Sequence, residues 1–206
     1  MPVRDPDLRY DCGTIAELAR LCARQIKESG ERFDGIVGIA NGGVIPTLLF
    51  SKESGLPILD MMRLRRYDDD DKTSPLLTPE VLLPPTRARV LEKDIVLVDE
   101  VLDEGYSFVY GKQLLEATGA RVVRGAVLDF KLGPRAEGHF VSLDFRRFFV
   151  GRVHEGRPWI EYTPWGAPGA TRNGALRQFV EEEYLEQDAV DRVLRMLVDS
   201  REPAAA

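Results

Sequence analysis

The run from Ile95 to Val98 most constrains the fold, because four consecutive apolar residues lead directly into a cluster of acids. Such a run is typical of a strand that is buried on both faces of a parallel sheet. Ligands of these sheets bind just beyond the carboxyl ends of the strands. Residues 99–107 are therefore predicted to form a binding site rather than a plain connecting turn.

The side chains in this segment suit a phosphorylated sugar. Asp99 and Glu100 can accept hydrogen bonds from a sugar diol, either directly or through a divalent cation. Gly105 and Ser107 lead into a predicted helix, whose N-terminal amides can form a phosphate seat. An acidic, solvated turn is the alternative interpretation. The order of acids, glycine and hydroxyl favours a binding site over such a turn.

Elsewhere strands and helices alternate, which predicts an α/β fold with a twisted parallel sheet flanked by helices. Apolar runs predict strands at 35–40, 56–62, 95–98 and 122–130. Helical spacing of apolar residues predicts helices at 15–26, at 44–54, up to about 118, and at 175–198. A length of 206 residues suits one domain with a sizeable core.

We assign residues 1–174 to this domain and residues 175–206 to a C-terminal helical extension that ends in a disordered tail. Residues 63–93 lack periodicity and contain several prolines, which predicts a long flexible loop. Its four consecutive aspartates, 68–71, indicate solvated surface rather than a metal site. The aromatic-rich segment at about 140–170, here called the hood, is predicted to form short strands or a small cover.

Charge and composition exclude several classes of protein. A net charge of −6 argues against a general nucleic-acid binder, whose affinity comes from basic surface. The two cysteines, Cys12 and Cys22, form no disulfide framework, which fits a reducing compartment. The polar N-terminus and the lack of a long apolar run predict a cytoplasmic protein without a membrane partner.

Residues 98–107 resemble the motif that binds phosphoribosyl diphosphate (PRPP) in the type I phosphoribosyltransferases. That motif is an apolar strand followed by two acids, two apolar residues, Asp, Thr, Gly, any residue and Thr. The resemblance implies that Asp99 and Glu100 meet the ribose hydroxyls, and that they hold a metal directly or through those hydroxyls and water. It also implies that Asp103 exchanges the purine proton. The 5′-phosphate would be bound by Glu104, Gly105, Tyr106 and Ser107.

Glu104 departs from the motif, which usually has Thr at this position. Its charge would face an anion if the side chain pointed into the phosphate seat. The backbone amides could still bind phosphate if the side chain turned outward. The sequence leaves both orientations open.

Residues 38–46 are similar to the diphosphate loop of the family, with Asn41 where a basic residue is usual and Gly42 after it. Their glycine spacing does not fit a dinucleotide-binding fold, and the Gly-Lys-Ser/Thr of a P-loop is missing. In the predicted flexible loop, Arg66 and Tyr67 stand where relatives often carry a Ser-Tyr pair. The resemblance implies that this loop closes over the reaction centre.

The base-binding residues are also implied by resemblance. Lys131 ends a predicted strand, where a lysine of the 6-oxopurine branch donates to the 6-oxygen. Residues 159–165 resemble the Trp-apolar-x-x-Pro-Trp segment of that branch, with one extra residue. This implies that Trp159 stacks on the base and that the backbone of Ile160 meets its edge. Stacking by Phe148 or Phe149 is the alternative.

The resemblance thus implies a Mg²⁺-dependent transfer of phosphoribosyl from PRPP to hypoxanthine, guanine or xanthine, in purine salvage, by a homodimer or homotetramer. Two alternatives stay open. One is a phosphoribosyltransferase for adenine, orotate or a pyrimidine, which Lys131 and Trp159 disfavour. The other is a non-catalytic regulator that senses PRPP or purines on the same fold. Neither His139 nor His154 is assigned a catalytic role.

Overall fold

The computed structural model describes residues 6–67, 75–132 and 148–198. The strands are β1 (Leu8–Tyr10), β2 (Gly35–Ala40), β3 (Ile58–Tyr67), β4 (Pro75–Leu83), β5 (Asp94–Leu102), β6 (Val122–Leu132), β7 (Phe148–Glu155) and β8 (Ile160–Tyr162). The helices are α1 (Cys12–Glu28), α2 (Val44–Ser54), α3 (Arg87–Val90), α4 (Tyr106–Thr118), α5 (Thr163–Gly166), α6 (Arg172–Glu181) and α7 (Gln187–Val198).

Six strands form one central sheet in the order β4-β3-β2-β5-β6-β7. Neighbouring strands are parallel from β3 to β7, and only the β3/β4 pair among these six is antiparallel. A second, two-stranded sheet pairs β1 with β8 in parallel. The predicted α/β fold with a mostly parallel sheet is confirmed.

Helices cover both faces of this sheet, which explains the unbroken apolar run in β5. Val96 and Val98 belong to the core under α1, α2, α6 and α7, whereas Ile95 and Leu97 belong to the core under α4. All four side chains are fully buried. Alternate residues of the strand point to opposite faces, so a strand covered on both sides has to be apolar throughout.

Residues 63–93 differ from the predicted irregular loop. β3 continues to Tyr67, and β4 returns antiparallel to it, with Arg63 opposite Leu83. Prolines at 75 and 79 obscured this hairpin in the sequence. They are tolerated because β4 is the edge strand of the sheet, where a missing N–H interrupts no ladder on the outer side. Residues 68–74, which include the aspartate run, lie outside the described residues.

The hood and the C-terminal extension also differ in part from expectation. β7 is the sixth strand of the central sheet rather than a separate cover. Helical spacing over 175–198 belongs to two helices, α6 and α7, which are separated by a turn containing Glu183 in the left-handed region at φ 62°. Buried Val190 and Val193 pack α7 onto α2 and β3. The predicted disordered tail lies outside the described residues.

The parallel arrangement brings the carboxyl ends of β2, β5 and β6 to one edge of the sheet. Asn41 directly follows β2, and Lys131 is the second-last residue of β6. Asp99 lies in the last four residues of β5, because this strand continues to Leu102 instead of ending at the predicted residue 98. In the described part of the chain, none of the helices combines the length and the apolar character needed to cross a bilayer.

Candidate active site

Two cavities open at this edge of the sheet, and Glu100 lines both of them. The first has a volume of about 350 Å³ and is lined by Asp99, Glu100, Val101, Leu102, Asp103, Glu104, Gly105, Tyr106, Ser107, Phe108, Lys131, Trp159 and Ile160. The second has a volume of about 500 Å³ and is lined by Asn41, Gly42, Ile45, Arg63, Glu100, Trp165, Thr171, Arg172 and Asn173. The acidic loop and the three predicted base-binding residues thus share one cavity.

Asp99 and Glu100 form a pair of adjacent carboxylates. The Oδ1 atom of Asp99 accepts a hydrogen bond from the Glu100 backbone N–H at 2.9 Å. Burial, and then the negative charge of Glu100, raise the pKa of Asp99 well above its usual range. Two carboxylates so placed disfavour each other's ionised form, and a cation or several hydroxyl donors would offset that repulsion.

Glu100 is held by two aromatic residues, one at the end of β8 and one in α5. The Trp165 indole Nε1–H donates to Glu100 Oε2 at 3.3 Å, and the Tyr162 hydroxyl donates to the Glu100 backbone carbonyl at 3.1 Å. The two rings stack with centroids 5.0 Å apart and an interplanar angle of 4°. A Cβ atom at Gly42 would lie 1.8 Å from Glu100 Oε2, so the diphosphate-like loop approaches Glu100 as closely as only glycine allows.

The phosphate seat predicted at 104–107 coincides with the start of α4. Gly105 is the N-cap residue and adopts the left-handed conformation, at φ 80°. The Val109 N–H donates to the Gly105 carbonyl at 2.9 Å, which is the first bond of the helix. The amides of the first turn point out of the helix N-terminus, where the helix dipole favours an anion.

Asp103 lies between two cations. Arg157 donates from both Nε, at 2.8 Å, and Nη2 to the Asp103 Oδ1 atom. Lys131 Nζ lies 3.6 Å from the Oδ2 atom. Arg157 Nη2 also lies 3.5 Å from Glu104 Oε1. Sequence reasoning missed Arg157, because no pattern distinguishes a single arginine between two strands from an ordinary surface residue.

The predicted stacking residue is exposed at the cavity, whereas the two alternatives are not. Trp159 is 54% exposed and lines the cavity next to Ile160. Its backbone is fastened to the N-terminal strand, because its carbonyl accepts from the N–H groups of Asp7 and Leu8. Phe148 packs against Phe108 with centroids 5.3 Å apart, and Phe149 packs against Phe33 on the opposite face.

A buried carboxylate behind the site also escaped prediction. Asp129 is fully buried in β6 and accepts hydrogen bonds from the hydroxyls of Tyr10, at 3.0 Å, and Tyr162, at 2.9 Å. His154 Nε2 lies 2.6 Å from its Oδ1 atom. Burial, followed by the charge of Asp129, raises the pKa of Tyr162 well above its usual range. The one signal in the sequence was the position of Asp129, a single acid within an otherwise apolar strand segment.

The second cavity contains two arginines and little opposing charge besides Glu100. Arg172, at the start of α6, donates to the Asn41 side-chain oxygen at 3.3 Å. Burial, and then the positive charge of Arg63, lower the pKa of Arg172. Its Nε–H is buried and has no hydrogen-bond partner among the residues that the structure describes. Two arginines that repel each other, with an unsatisfied donor, form a ready anion site. Arg172 was missed by sequence reasoning.

The predicted roles of Arg66 and Tyr67 and the predicted metal site are not visible directly in the structure. The backbones of Arg66 and Tyr67 end β3, but their side chains lie outside the described part of the chain. Among residues 6–67, 75–132 and 148–198, no group of three or more His, Cys, Asp or Glu side chains is arranged to hold a metal ion. The Asp99 and Glu100 pair offers two adjacent carboxylates, which by themselves fall short of such a group.

Comparison with protein families gives a match to the phosphoribosyl transferase domain over residues 11–145. The xanthine-guanine phosphoribosyltransferase of Gluconobacter oxydans (strain 621H) is 30% identical over 97 residues, which are 47% of this chain and 56% of that enzyme. The alignment therefore spans little more than half the length of this curated relative.

Solved structures share the fold. A protein of Neisseria gonorrhoeae with bound ppGpp has a TM-score of 0.63 at 21% identity, covering 87% of this chain and 99% of that one. The purine phosphoribosyltransferase of Pyrococcus horikoshii Ot3 has a TM-score of 0.58 at 20% identity, covering 78% of this chain and 95% of that one. At these identities the likeness establishes the fold alone.

Proposed function

Because the chain belongs to the phosphoribosyl transferase domain family, we propose that it transfers phosphoribosyl from PRPP to a 6-oxopurine base. The products would be a purine nucleoside monophosphate and diphosphate. One observation carries the proposal. The loop with two acids, a third acid and a helix N-terminus lines the same cavity as Lys131 and Trp159. A sugar phosphate and a purine could therefore meet there.

PRPP would span the two cavities, with its ribose at the Glu100 wall that they share. Asp99 and Glu100 would accept hydrogen bonds from the ribose hydroxyls, and the amides of residues 105–107 would bind the 5′-phosphate. The second cavity would take the diphosphate through the loop at Asn41 and Gly42 and through Arg63 and Arg172. Paired cations suit an anion of this charge.

The purine would lie between Lys131 and Trp159. Lys131 Nζ would donate a hydrogen bond to the 6-oxygen. An amino group at the same position of the base could not accept this hydrogen bond. Trp159 would stack on the base, a contact worth roughly 1 to 3 kcal/mol. The Ile160 backbone would meet the base edge. This arrangement favours a 6-oxopurine over adenine.

The adjacent carboxylates fit a magnesium ion. Their oxygen atoms are the ligands that Mg²⁺ prefers, and a cation would relieve the repulsion between the two adjacent carboxylates. Asp99 and Glu100 would hold the ion directly or through ribose hydroxyls and water. When bound, Mg²⁺ would neutralise charge on the diphosphate leaving group.

The residues of the chain would then position the reacting groups. Chemistry at the anomeric carbon develops positive charge on the sugar, so the base nitrogen must be held close and water kept out. Asp103 lies beside Lys131 and would exchange the purine proton through Oδ2, since Oδ1 is occupied by Arg157. Closure of the segment carrying Arg66 and Tyr67 would exclude water.

A direct assay tests the proposal. Purified protein with PRPP, Mg²⁺ and a panel of free bases should release diphosphate with at least one of hypoxanthine, guanine or xanthine, and not in the presence of a metal chelator. Turnover with only adenine, orotate or uracil would establish another base specificity. PRPP binding without turnover on any base would favour the regulatory function. Gel filtration would test the expected homodimer or homotetramer, and cell fractionation the expected cytoplasmic location.

Trp159→Ala should raise the KM for the base by roughly 5- to 150-fold, which corresponds to the loss of about 1 to 3 kcal/mol of stacking. The KM for PRPP should change far less. Phe148→Ala is the matched aromatic control. Because Phe148 packs against Phe108, its loss should lower stability and leave the KM for the base near that of the wild type. The opposite pattern in the two variants would assign stacking to Phe148.

A further inference from the structure

Arg157 connects the base-binding segment to the acidic loop. It lies between β7 and β8, two residues before Trp159 and three before Ile160. Its side chain is 28% exposed, and its guanidinium reaches two consecutive carboxylates of the loop after β5, those of Asp103 and Glu104. Burial acts to lower the pKa of Arg157, but the hydrogen bond and charge of Asp103, followed by the charge of Glu104, raise it overall. The cation thus stays charged.

The loop needs such a cation because it is strongly acidic where anions must bind. Four carboxylates line the first cavity, those of Asp99, Glu100, Asp103 and Glu104. PRPP carries a monophosphate and a diphosphate, so each uncompensated carboxylate would repel it. Glu104 is the residue immediately before Gly105, the N-cap of the helix whose amides form the phosphate seat.

We propose that Arg157 is a positioning residue with two separate effects, one through each carboxylate. It neutralises the negative charge of Glu104 and holds this side chain away from the 5′-phosphate. Through Asp103 it fixes Oδ1, and so orients Oδ2 toward Lys131 and the purine. This inference rests on the proposed function, because it takes PRPP as the ligand of the acidic loop.

The two effects can be separated by combining two substitutions. Arg157→Ala should weaken PRPP binding on the order of tenfold, because the charge of Glu104 near the phosphate loses the opposing charge of Arg157. It should also lower kcat by about tenfold, because Asp103 loses its orienting partner. Adding Glu104→Gln should restore PRPP affinity to within about threefold of the wild type, since the charge that Arg157 neutralised is gone. It should not restore kcat.

Calorimetric titration of PRPP and steady-state kinetics on the four proteins of this cycle provide the measurement. Glu104→Gln should tighten PRPP far more in the Arg157→Ala background than in the wild type, and this difference should shrink as salt rises. Arg157→Lys keeps the charge without the planar fork, so it should keep most PRPP affinity but lose kcat. Arg195→Ala, an exposed arginine on α7, controls for the loss of one positive charge elsewhere.

Each result decides between explanations. If the double variant binds PRPP as weakly as Arg157→Ala, Arg157 contacts the phosphate itself and the inference is wrong. An Arg157→Ala protein with unchanged PRPP affinity and kcat would also overturn it. If kcat recovers together with affinity in the double variant, the separate effect on Asp103 does not exist. A wild-type protein that does not bind PRPP would instead refute the proposed function, and this inference with it.

Discussion

Asp103→Asn is expected to lower kcat by about 10²- to 10⁴-fold, the range that general acid–base catalysis contributes. The Asn side chain keeps the size of Asp and an oxygen that can accept from Arg157, but it cannot exchange a proton at neutral pH. The dissociation constant for PRPP should change little, because the role assigned to Asp103 is proton transfer rather than ribose contact. Steady-state kinetics with titration of PRPP would measure both quantities.

The comparison with neighbouring carboxylates makes this experiment specific. Asp99→Ala should mainly weaken PRPP, by about 1.5 to 3 kcal/mol for a lost charge-assisted hydrogen bond. Asp188→Asn, on the exposed first turn of α7, controls for the change in net charge. A loss of the same size in PRPP binding and in turnover for Asp103→Asn would identify Asp103 as a substrate ligand instead of a proton carrier.

Asp129→Ala is expected to lower the free energy of unfolding by about 2 to 4 kcal/mol. The change removes the acceptor of two largely buried tyrosine hydroxyls, and each buried donor left unsatisfied costs about 1 to 3 kcal/mol. The loss should fall short of the sum of both costs, because the Tyr162 hydroxyl keeps a second acceptor in the Glu100 carbonyl. Urea denaturation of both proteins would measure it.

Glu155→Ala is the matched control, since Glu155 is an exposed carboxylate on β7 and should change stability by less than about 0.5 kcal/mol. The Asp129 variant should also bind PRPP more weakly, because Tyr162 links Asp129 to Glu100 and stacks on the indole that bonds the Glu100 carboxylate. A stability loss below 1 kcal/mol would mean that the tyrosines find other partners when Asp129 is removed.

Local patterns were enough to predict the fold class. An apolar run such as Ile95 to Val98 can be buried only if both faces of its strand are covered, and the alternation of strands and helices then favours a parallel sheet. The same reasoning failed at β4. Prolines are strong signals against a strand unless it lies at an edge, and only the completed sheet shows that β4 does.

Individual site residues divide in the same way. The acids, glycine and hydroxyl of residues 99–107 are consecutive, so their joint position at a strand end follows from the sequence. Arg157, Arg172 and Asp129 join the site or its support from 33 to 131 residues away along the chain, through contacts to Asp103, Asn41 and Tyr162. No local pattern encodes such pairs, because isolated charged residues are common on any surface.

The sequence by itself determined the parallel α/β core and the acidic loop at the end of β5. The core follows from apolar patterns that alternate along the chain, and the loop follows from the order of residues within one short segment. The tertiary structure alone decided which distant side chains surround that loop. It placed Arg157 beside the carboxylates of Asp103 and Glu104, and it placed Arg63 and Arg172 in the same cavity. The physical reason is that charges interact through space over a few ångströms, and folding, rather than chain order, determines which charges come that close.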